Sequence, residues 1–447
     1  MSGKHVDVPQ RLNEKREQWR PVTGRRGALF YFRASQVHDR VHRKVLGMLD
    51  KNRKIVCLIL MGFLLVVLQF YLQQSTDPAI EFTRHPSALQ SSTSEQYPLL
   101  KKFTTENVVE KNPPFKRIVF WNAYGSKEYG VGFGRDALRK FGCPVWQCET
   151  TDNRTDILTS DAIVFHLRSW TKSDLPERRL PHQRYVFWSI ESPAWREYAH
   201  ADQADEFFNW TMTYRWDSDM AGPYGSIEPI GKVPLHPDED QMKIYLVNST
   251  KAGNYAKGKT KMAAWFVSNC NSKSSRNEFV RELQKYIDVD VYGKCGTMQC
   301  STTIDGQCRD MAAKNYKFFM SLENSLCPDY ITEKFFVMMN RTILPIVYGV
   351  HDSHEKIAPT HSFINAAKFE NVKKLADYLI LLDKNDTLYN EYFWWKPHFK
   401  VMFSEVFKGM CRLCAALHDK NSPPKIYHDM TGWWEKTVPC LLSPKIV

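Results

Sequence analysis

A glutamate followed by a lysine, Glu333 and Lys334, stands where proteins commonly bind phosphate groups. The pair follows the apolar run 318–322 and a polar loop, and apolar residues recur at helical spacing from Ile331 onward. This pattern predicts a helix with Asp329 as its N-cap and both side chains in its first turn. Free backbone N–H groups and the positive end of the helix dipole disfavour a lysine there unless an anion is bound. The alternative is an ordinary solvated Glu-Lys pair.

Two further groups of carboxylates could do chemistry. Glu191 directly follows the apolar run 185–190, and α/β sheets present catalytic side chains just beyond their strands. A carboxylate at a strand end can also serve only a turn or a salt bridge. Asp217 and Asp219 are spaced i, i+2, and two such carboxylates can chelate Mn²⁺ or Mg²⁺.

These side chains need a scaffold, and the chain contains two sets of short apolar runs separated by a polar stretch, 231–260. The runs are 117–122, 162–167, 185–190 and 211–216 in the first set, and 262–267, 289–292, 318–322 and 343–348 in the second. Strands alternating with helices predict parallel sheets in α/β layers. We therefore expect two Rossmann-like domains that face each other, with functional residues beyond the strand ends.

The charge of the chain is concentrated near its N-terminus. The 447 residues are 43% hydrophobic and 25% charged, which excludes collagens, disordered acidic tails and polytopic membrane proteins. A net charge of +12 first suggests a nucleic-acid partner. Residues 1–54, however, hold 14 Lys+Arg and 5 Asp+Glu, which leaves 47 and 44 for the rest. The net charge is therefore +9 for residues 1–54 and +3 for the rest of the chain. Because so little of the charge lies outside the short tail, no nucleic-acid partner is expected.

An uncharged apolar segment, 55–72, follows the basic tail. As a helix rising ~1.5 Å per residue it spans about 27 Å, enough to cross a hydrocarbon core. A buried core helix would show a polar face, and a cleaved signal peptide would begin near residue 1. Basic residues precede the segment, so the positive-inside rule predicts a cytosolic tail, 1–54, and a signal anchor. A Ser/Thr/Pro-rich stem, 73–114, follows it.

The rest of the chain has features of an oxidising compartment. Ten cysteines follow the anchor, an even number that fits disulfides whose pairing the sequence does not determine. Zinc binding by Cys411 and Cys414 is disfavoured because no second CxxC lies nearby. N-glycosylation sequons occur at Asn153, Asn209, Asn248, Asn340 and Asn385.

The residues around Lys334 also carry a family resemblance. The stretch Glu323-Asn324-Ser325 with Asp329-Tyr330-Ile331-Thr332-Glu333-Lys334 resembles the signature of the α1,3-fucosyltransferases. Further matches in consistent order cover about 115–415, and they include Glu191-Ser192-Pro193, 208–219, Pro223-Tyr224-Gly225, 265–269, 344–349 and Ser362-Phe363-Ile364. The resemblance implies a GT-B-like α/β enzyme after a transmembrane helix and stem. It also implies a single-pass type II protein of the Golgi membrane with a lumenal catalytic part.

The activity implied by the resemblance is inverting transfer of L-fucose from GDP-β-L-fucose to the 3-hydroxyl of N-acetylglucosamine. One direct displacement needs a base for the attacking hydroxyl and stabilisation of the departing diphosphate. By motif, Glu191 is the base, and Arg276 and Lys334 bind the diphosphate. The other implied donor contacts are Glu333 and Tyr330 to fucose or ribose, Asn324 to the nucleotide, and Ser268 and Asn269.

No metal or other essential cofactor is implied. The family carries the Asp217-Ser218-Asp219 triplet without using it as a metal ligand, and a cation such as Mn²⁺ would only stimulate. His166 matches one of two adjacent histidines of the vertebrate Lewis-type branch and is the implied acceptor contact. Cysteines from Cys295 to Cys327 resemble invertebrate branches, some of which modify the N-glycan core. The acceptor stays open between N-glycan core and Lewis-type glycans, and the cysteine pattern favours an N-glycan.

The family's C-terminal CxxC, here Cys411 and Cys414, bonds to cysteines of the first domain, for which Cys143 and Cys148 are the candidates. The implied domains are an acceptor-side domain at 115–255, a GDP-fucose-binding domain at 256–400 and a return segment at 401–447. Two alternatives stay open. They are a related GT-B glycosyltransferase with another donor or acceptor, and a non-catalytic lumenal glycan-binding protein. The sequence gives no prediction of oligomeric state.

Overall fold

The computed structural model describes residues 113–122, 130–194, 204–249, 253–300, 305–350, 352–403, 405–437 and 439–441. These residues belong to one compact unit. Within these ranges, no helix combines the length and the apolar character needed to cross a membrane. The predicted tail (1–54), anchor (55–72) and all but the last two residues of the stem (73–114) lie outside the described residues, and they stay predictions.

The first sheet has five parallel strands in the order β2-β1-β3-β4-β5. Its strands are β1 (Lys116–Asn122), β2 (Cys148–Thr151), β3 (Ala162–His166), β4 (Arg184–Ser189) and β5 (Trp210–Thr213). Every residue of β3 is buried, as is expected of continuous apolar strands in a sheet covered on both faces. The sequence predicts all of these strands except β2, an edge strand whose sequence, CETT, contains no apolar run.

The second sheet also has five parallel strands, in the order β11-β10-β9-β7-β8. They are β7 (Lys261–Phe266), β8 (Val289–Tyr292), β9 (Tyr316–Met320), β10 (Leu344–Val347) and β11 (Ile364–Asn365). The predicted runs coincide with β7 to β10 to within two residues. Two parallel sheets with helices between their strands confirm the predicted α/β class.

Helices pack on both faces of the second sheet and on one face of the first. Their bounds are α1 (Ala137–Lys140), α2 (Glu239–Ser249), α3 (Arg276–Leu283), α4 (Asp305–Asn315), α5 (Glu333–Met339), α6 (Ser353–Ile357), α7 (Val372–Lys384), α8 (Asp386–Glu391) and α9 (Gly409–His418). Single 3-10 turns lie at Arg154–Thr159, Leu167–Ser169, Ala366–Lys368 and Glu405–Lys408, and a π-helical turn at Gly432–Lys436. Helix α7 illustrates why the helices pack on the sheets. Its buried residues repeat at helical spacing and form one apolar face, which shares a core with Phe318 and Leu344 of the second sheet.

The chain returns to the first sheet after an antiparallel ribbon of β6 (Gly225–Pro229) and β12 (Phe399–Phe403). Helix α9 then packs Met410 and Leu413 into the same core as Ile118. Two disulfides fasten this helix, and they are Cys143–Cys411 and Cys148–Cys414. The pairing of the CxxC with the first domain, which the family resemblance implied, is present in the structure.

The strand order of the second sheet indicates where a ligand can enter. Strand β7 lies between β8 and β9, so the loops after β7 and β9 leave the sheet in opposite directions and open a crevice between them. These loops are 267–275 and 321–332. They contain, or lead directly into, all the predicted donor-binding residues.

Candidate active site

The loops after β7 and β9 are joined to each other by hydrogen bonds. Ser274 donates its N–H to the Asn324 carbonyl at 3.1 Å and its hydroxyl to the Glu323 carbonyl at 2.7 Å. Arg276, the first residue of α3, donates from Nη1 to the Leu322 carbonyl at 2.7 Å. The two loops therefore form one structural unit at the end of the second sheet.

Arg276 is a buried cation in this unit. Its residue surface is 5% exposed, and Nη2 donates to the Asn269 carbonyl at 3.2 Å. Burial lowers the pKa of Arg276, against the opposing effect of Glu323, but an arginine remains protonated in proteins. Neutral carbonyls hold its Nη atoms, so the hydrogen bonds that fix the guanidinium leave its positive charge uncancelled.

Lys334 lies in a cluster with two carboxylates. Its Nζ is 3.2 Å from Glu323 Oε2 and 3.2 Å from Glu333 Oε1, and it donates to Thr332 Oγ1 at 2.7 Å. Burial lowers the pKa of Lys334, the two carboxylates raise it, and the net shift is upward. The Glu323 side chain is 4% exposed and that of Glu333 is 48% exposed. Glu333 is therefore the partner that an incoming anion can displace.

Helix α5 begins at Glu333, so Glu333 and Lys334 lie in its first turn as predicted. The N-cap, however, is Thr332. Thr332 donates its N–H to Glu323 Oε1 at 2.8 Å and its hydroxyl at 2.9 Å. Asp329 has a φ of 60° in the preceding turn, and an N-cap needs an extended backbone. The prediction of Asp329 as the cap was wrong because a buried carboxylate, distant in the sequence, bonds the start of the helix.

One hydrogen bond joins this unit to the first sheet. Tyr330 donates its hydroxyl to Glu191 Oε2 at 2.8 Å, which links the loop after β9 to the loop after β4. Burial, with Tyr224 and Glu191 adding, raises the pKa of Tyr330 well above 10, so the phenol stays protonated and donates. Tyr224 donates to the Ile190 carbonyl at 2.8 Å and fixes the backbone beside Glu191. The predicted base thus shares one site with the predicted donor-binding residues.

His166 ends β3, the strand that pairs with β4. It is 4% exposed, and burial, with the charge of Arg168 adding, lowers its pKa to about 4. Its Nδ1 accepts the Arg168 N–H at 3.2 Å, and its ring lies edge-on to Trp188 with centroids 4.9 Å apart. The imidazole is therefore neutral near pH 7 and lies beside the strand that leads to Glu191.

The predicted polar donor contacts lie at the mouth of the crevice. Ser268 and Asn269 follow β7 at exposed positions, and Asn324 is half-buried. Asn269 Oδ1 accepts the Asn271 N–H at 3.3 Å, and Asn324 Oδ1 accepts the Ser325 hydroxyl at 3.3 Å. These long local bonds leave the side chains of Asn269 and Asn324 able to exchange partners with a ligand.

The Asp217-Ser218-Asp219 triplet has structural partners. Asp217 accepts two hydrogen bonds from Arg215, at 2.9 and 2.5 Å. Asp219 is 5% exposed and accepts from Lys425 at 2.7 Å and from Tyr427 at 2.9 Å. Both carboxylates already neutralise protein cations, so a metal ion would have to displace an arginine and a lysine.

The ten cysteines that follow the predicted anchor are all described, and they form five disulfides. Besides the two pairs at α9, these are Cys270–Cys295, Cys300–Cys308 and Cys327–Cys440. Across the described ranges, one group of three residues has metal-ligand spacing, namely Cys148, Cys414 and His418. Its two cysteines are bonded to each other and offer no thiolate to a metal.

The sequon asparagines differ in their surroundings. Asn153, Asn248 and Asn340 are exposed, and Asn385 caps α8 by accepting the Leu388 N–H at 3.1 Å. The amide nitrogen of Asn209, the atom that would carry a glycan, donates to a main-chain carbonyl at 2.8 Å. A glycan on Asn209 would have to replace this bond.

Three residues of the site have no role in the sequence-based prediction. They are Glu323, Thr332 and Tyr224, and all three lie inside the motifs on which the resemblance depends. Their side-chain bonds reach residues between 2 and 34 positions away, and sequence spacing does not indicate such partners. One signal was present, because Glu323 is a carboxylate three residues after the buried end of β9, and a buried carboxylate has to be neutralised.

Comparisons with known proteins agree with these motifs. Residues 113–225 match the family described as "Fucosyltransferase, N-terminal", and residues 256–433 match "Glycosyltransferase family 10 (fucosyltransferase) C-term". The chain is 38% identical over 338 residues to "Alpha-(1,3)-fucosyltransferase C" of Drosophila melanogaster, a match that covers 73% of this chain and 76% of that protein. It is 36% identical to "Glycoprotein 3-alpha-L-fucosyltransferase A" of the same organism, covering 73% of this chain and 61% of that protein.

A nematode protein and a crystal structure are also similar. "Alpha-(1,3)-fucosyltransferase fut-1" of Caenorhabditis elegans is 32% identical, and the match covers 73% of this chain and 71% of that protein. A crystal structure of an α1,3-fucosyltransferase with GDP-fucose aligns with 75% of this chain and 98% of its own, with a TM-score of 0.44 and 17% identity.

Proposed function

Because this chain belongs to the family 10 glycosyltransferases, the fucosyltransferases, we propose that it transfers L-fucose from GDP-β-L-fucose to the 3-hydroxyl of N-acetylglucosamine. The similar proteins are named α1,3-fucosyltransferases. One observation carries the proposal, namely the 2.8 Å hydrogen bond between Tyr330 and Glu191. It joins the loop that bears the motif carboxylate to the loop that leads to Lys334.

In the proposed reaction, Glu191 removes the proton from the attacking hydroxyl. The 3-hydroxyl oxygen then bonds the anomeric carbon of fucose while the bond to the GDP oxygen breaks, which inverts the configuration. Glu191 is half-buried at the end of β4, where a sugar hydroxyl can approach it. Tyr330 donates one hydrogen bond to Glu191 Oε2, which leaves other carboxylate lone pairs for the acceptor.

Two side chains neutralise the charge that develops on the departing GDP. Arg276 is fixed by main-chain carbonyls, and Lys334 is held over the crevice by its carboxylate neighbours. Groups that are already oriented before the reaction stabilise a leaving group without reorganisation cost. In this proposal Glu333 turns from Lys334 to a hydroxyl of fucose or ribose when the diphosphate arrives. Its 48% exposed side chain leaves room for that movement.

The same cations replace a metal in the proposed reaction. Asp217 and Asp219 are paired with Arg215 and Lys425, which supports a structural role for the triplet. The site needs no essential cofactor in this account, and a divalent cation such as Mn²⁺ would at most stimulate by screening charge. The proposal includes a GT-B-like arrangement in which the acceptor binds on the side of His166.

The proposed acceptor is N-acetylglucosamine in an N-glycan, and the proposed location is the Golgi membrane with a lumenal catalytic part. The name of one relative, a glycoprotein fucosyltransferase, supports a glycoprotein acceptor. Five disulfides support an oxidising compartment. The apolar segment 55–72 and its basic flank support a type II anchor.

The test is a transfer assay with the full-length, detergent-solubilised protein and radiolabelled GDP-fucose. The acceptors are an N-glycan with a chitobiose core, N-acetyllactosamine and free chitobiose. We expect α1,3-linked product on the N-glycan, with linkage assigned by NMR. Product on N-acetyllactosamine alone would show that the proposed N-glycan acceptor is wrong and that the acceptor is of the Lewis type. Absence of transfer to all three, with GDP bound tightly, would favour a donor or acceptor of another class.

A further inference from the structure

The last described part of the chain reaches the candidate site through a disulfide. Cys327 lies three residues before Tyr330 in the sequence and is bonded to Cys440. Beside this bond, the Leu441 N–H donates to the Leu326 carbonyl at 2.8 Å. We call residues 427–437 and 439–441 the C-terminal segment. It has two attachments to the loop that carries Tyr330, and the proposed mechanism uses neither.

The same segment is anchored on the first sheet. Trp434 is 1% exposed, and its ring lies 5.3 Å from that of Phe187 in β4, the strand that leads to Glu191. Arg215, just after β5, donates to the Trp433 carbonyl at 2.6 Å. The C-terminal segment therefore connects the strand before Glu191 with the loop before Tyr330.

The turn from Cys327 to Tyr330 has a backbone conformation that needs restraint. Asp329 adopts a φ of 60°, which residues with a side chain seldom adopt. The Tyr330 N–H closes the turn by donating to the Cys327 carbonyl at 3.2 Å. Such backbone persists when the surroundings hold it. The Asp329 N–H donates to Ser353 Oγ at 3.0 Å, and the disulfide at Cys327 adds a covalent restraint to the same turn.

We propose that the Cys327–Cys440 disulfide positions Tyr330 against Glu191 and thereby sets the orientation of the base. Cys327 and Cys440 are positioning residues, because they act through Tyr330 and contact no reacting group. The inference rests on the proposed function, since it depends on Glu191 being the base. It adds a part of the chain, the C-terminal segment, that the proposed mechanism leaves without a role.

The test compares the Cys327→Ser/Cys440→Ser enzyme with a matched control, Cys300→Ser/Cys308→Ser, which loses a disulfide elsewhere in the second half of the chain. We expect kcat to fall roughly 10- to 100-fold in the first variant, as for a misplaced catalytic group. The KM for GDP-fucose should stay within about threefold, because other bonds hold Arg276 and Lys334. A kcat equal to that of the control would overturn the inference.

Coupling to Tyr330 separates positioning from a general loss of stability. Removing the disulfide in a Tyr330→Phe background should lower kcat by less than about twofold, because the bond to be positioned is already gone. An equal fall in both backgrounds would mean that the disulfide only stabilises the fold. If the double-serine variant does not fold, Trp434→Phe loosens the other anchor of the segment and is tested for the same dependence on Tyr330.

Hydrogen exchange provides a readout that does not depend on transfer. Peptides covering 326–332 should exchange at least about tenfold faster in Cys327→Ser/Cys440→Ser than in the control, because local opening frees the Tyr330 amide. Equal exchange would overturn the inference. If the wild-type chain transfers no fucose, the proposed function is wrong. Hydrogen exchange in 326–332 would then still show whether the disulfide restrains the loop.

Discussion

Replacing Lys334 with methionine tests the proposed phosphate contact while keeping the length of the side chain. In the structure, Lys334 Nζ has three partners, Thr332 Oγ1 at 2.7 Å and the carboxylates of Glu323 and Glu333 at 3.2 Å each. Glu323 is fixed by the start of α5, whereas Glu333 is 48% exposed. In the proposed mechanism, a diphosphate oxygen would therefore bind Lys334 by replacing Glu333.

The magnitude follows from this exchange of partners. A hydrogen bond between charged groups contributes about 1.5–3 kcal/mol, and an exposed ion pair such as Lys334–Glu333 contributes up to about 1 kcal/mol. The difference is about 0.5–3 kcal/mol, so the Kd for GDP should rise roughly 2- to 150-fold in Lys334→Met. Because the phosphate carries the effect, the Kd for guanosine should stay unchanged.

Isothermal titration calorimetry of GDP and guanosine measures both values on each variant. The matched control is Lys261→Met, because Lys261 also pairs with a carboxylate, Asp290 at 2.8 Å, but lies at the opposite end of the second sheet. Its GDP affinity should equal that of the wild type. The reasoning is refuted if Lys334→Met binds GDP as the wild type does, or if guanosine loses as much affinity as GDP.

Other perturbations have distinct expected results. Burial lowers the pKa of His354 to about 3, so below about pH 6.5 the unfolded chain binds a proton that the folded chain does not. The free energy of unfolding, measured by urea, should therefore fall as the pH is lowered from about 7 to about 5. This fall should be about 2 kcal/mol smaller in His354→Phe than in the wild type. Equal falls in the two proteins would contradict this expectation. Asp219→Asn should cost about 1 kcal/mol of stability by the same method, with GDP affinity unchanged, because Lys425, whose side chain is 37% exposed, loses its charged partner. Transfer should persist in EDTA; activity that EDTA abolishes and Mn²⁺ alone restores would overturn the metal-independent reaction.

Much of the scaffold follows from the apolar runs. Strands such as β3 and β4 are buried on both faces, so their sequences are continuously apolar and stand out. Strand β2 is an edge strand stabilised by pairing with β1, and β11 has two residues, so neither produces such a run. The parallel class could be predicted from local sequence, while the sheet edges depend on tertiary pairing.

The positions of the site residues were partly predictable for the same reason. Glu191 and Lys334 follow strands, and parallel strands present their loops at one edge. The bond between Tyr330 and Glu191 could not be predicted, because it joins residues 139 positions apart on loops of two different sheets. The N-cap of α5 was missed for a related reason, since the cap residue Thr332 is held by Glu323, nine positions earlier.

The proposed mechanism depends most on Glu191 being the base of fucosyl transfer from GDP-fucose. Measuring both kcat and the Kd for GDP in Glu191→Gln tests this role most directly. Glutamine keeps an acceptor for the Tyr330 hydroxyl but removes the basic carboxylate. We predict that kcat falls about 10²- to 10⁴-fold, the usual contribution of a general base, while the Kd for GDP stays within about twofold. The control Glu278→Gln, an exposed carboxylate in α3 paired with Arg281, should turn over as the wild type does. Wild-type turnover in Glu191→Gln would contradict the account.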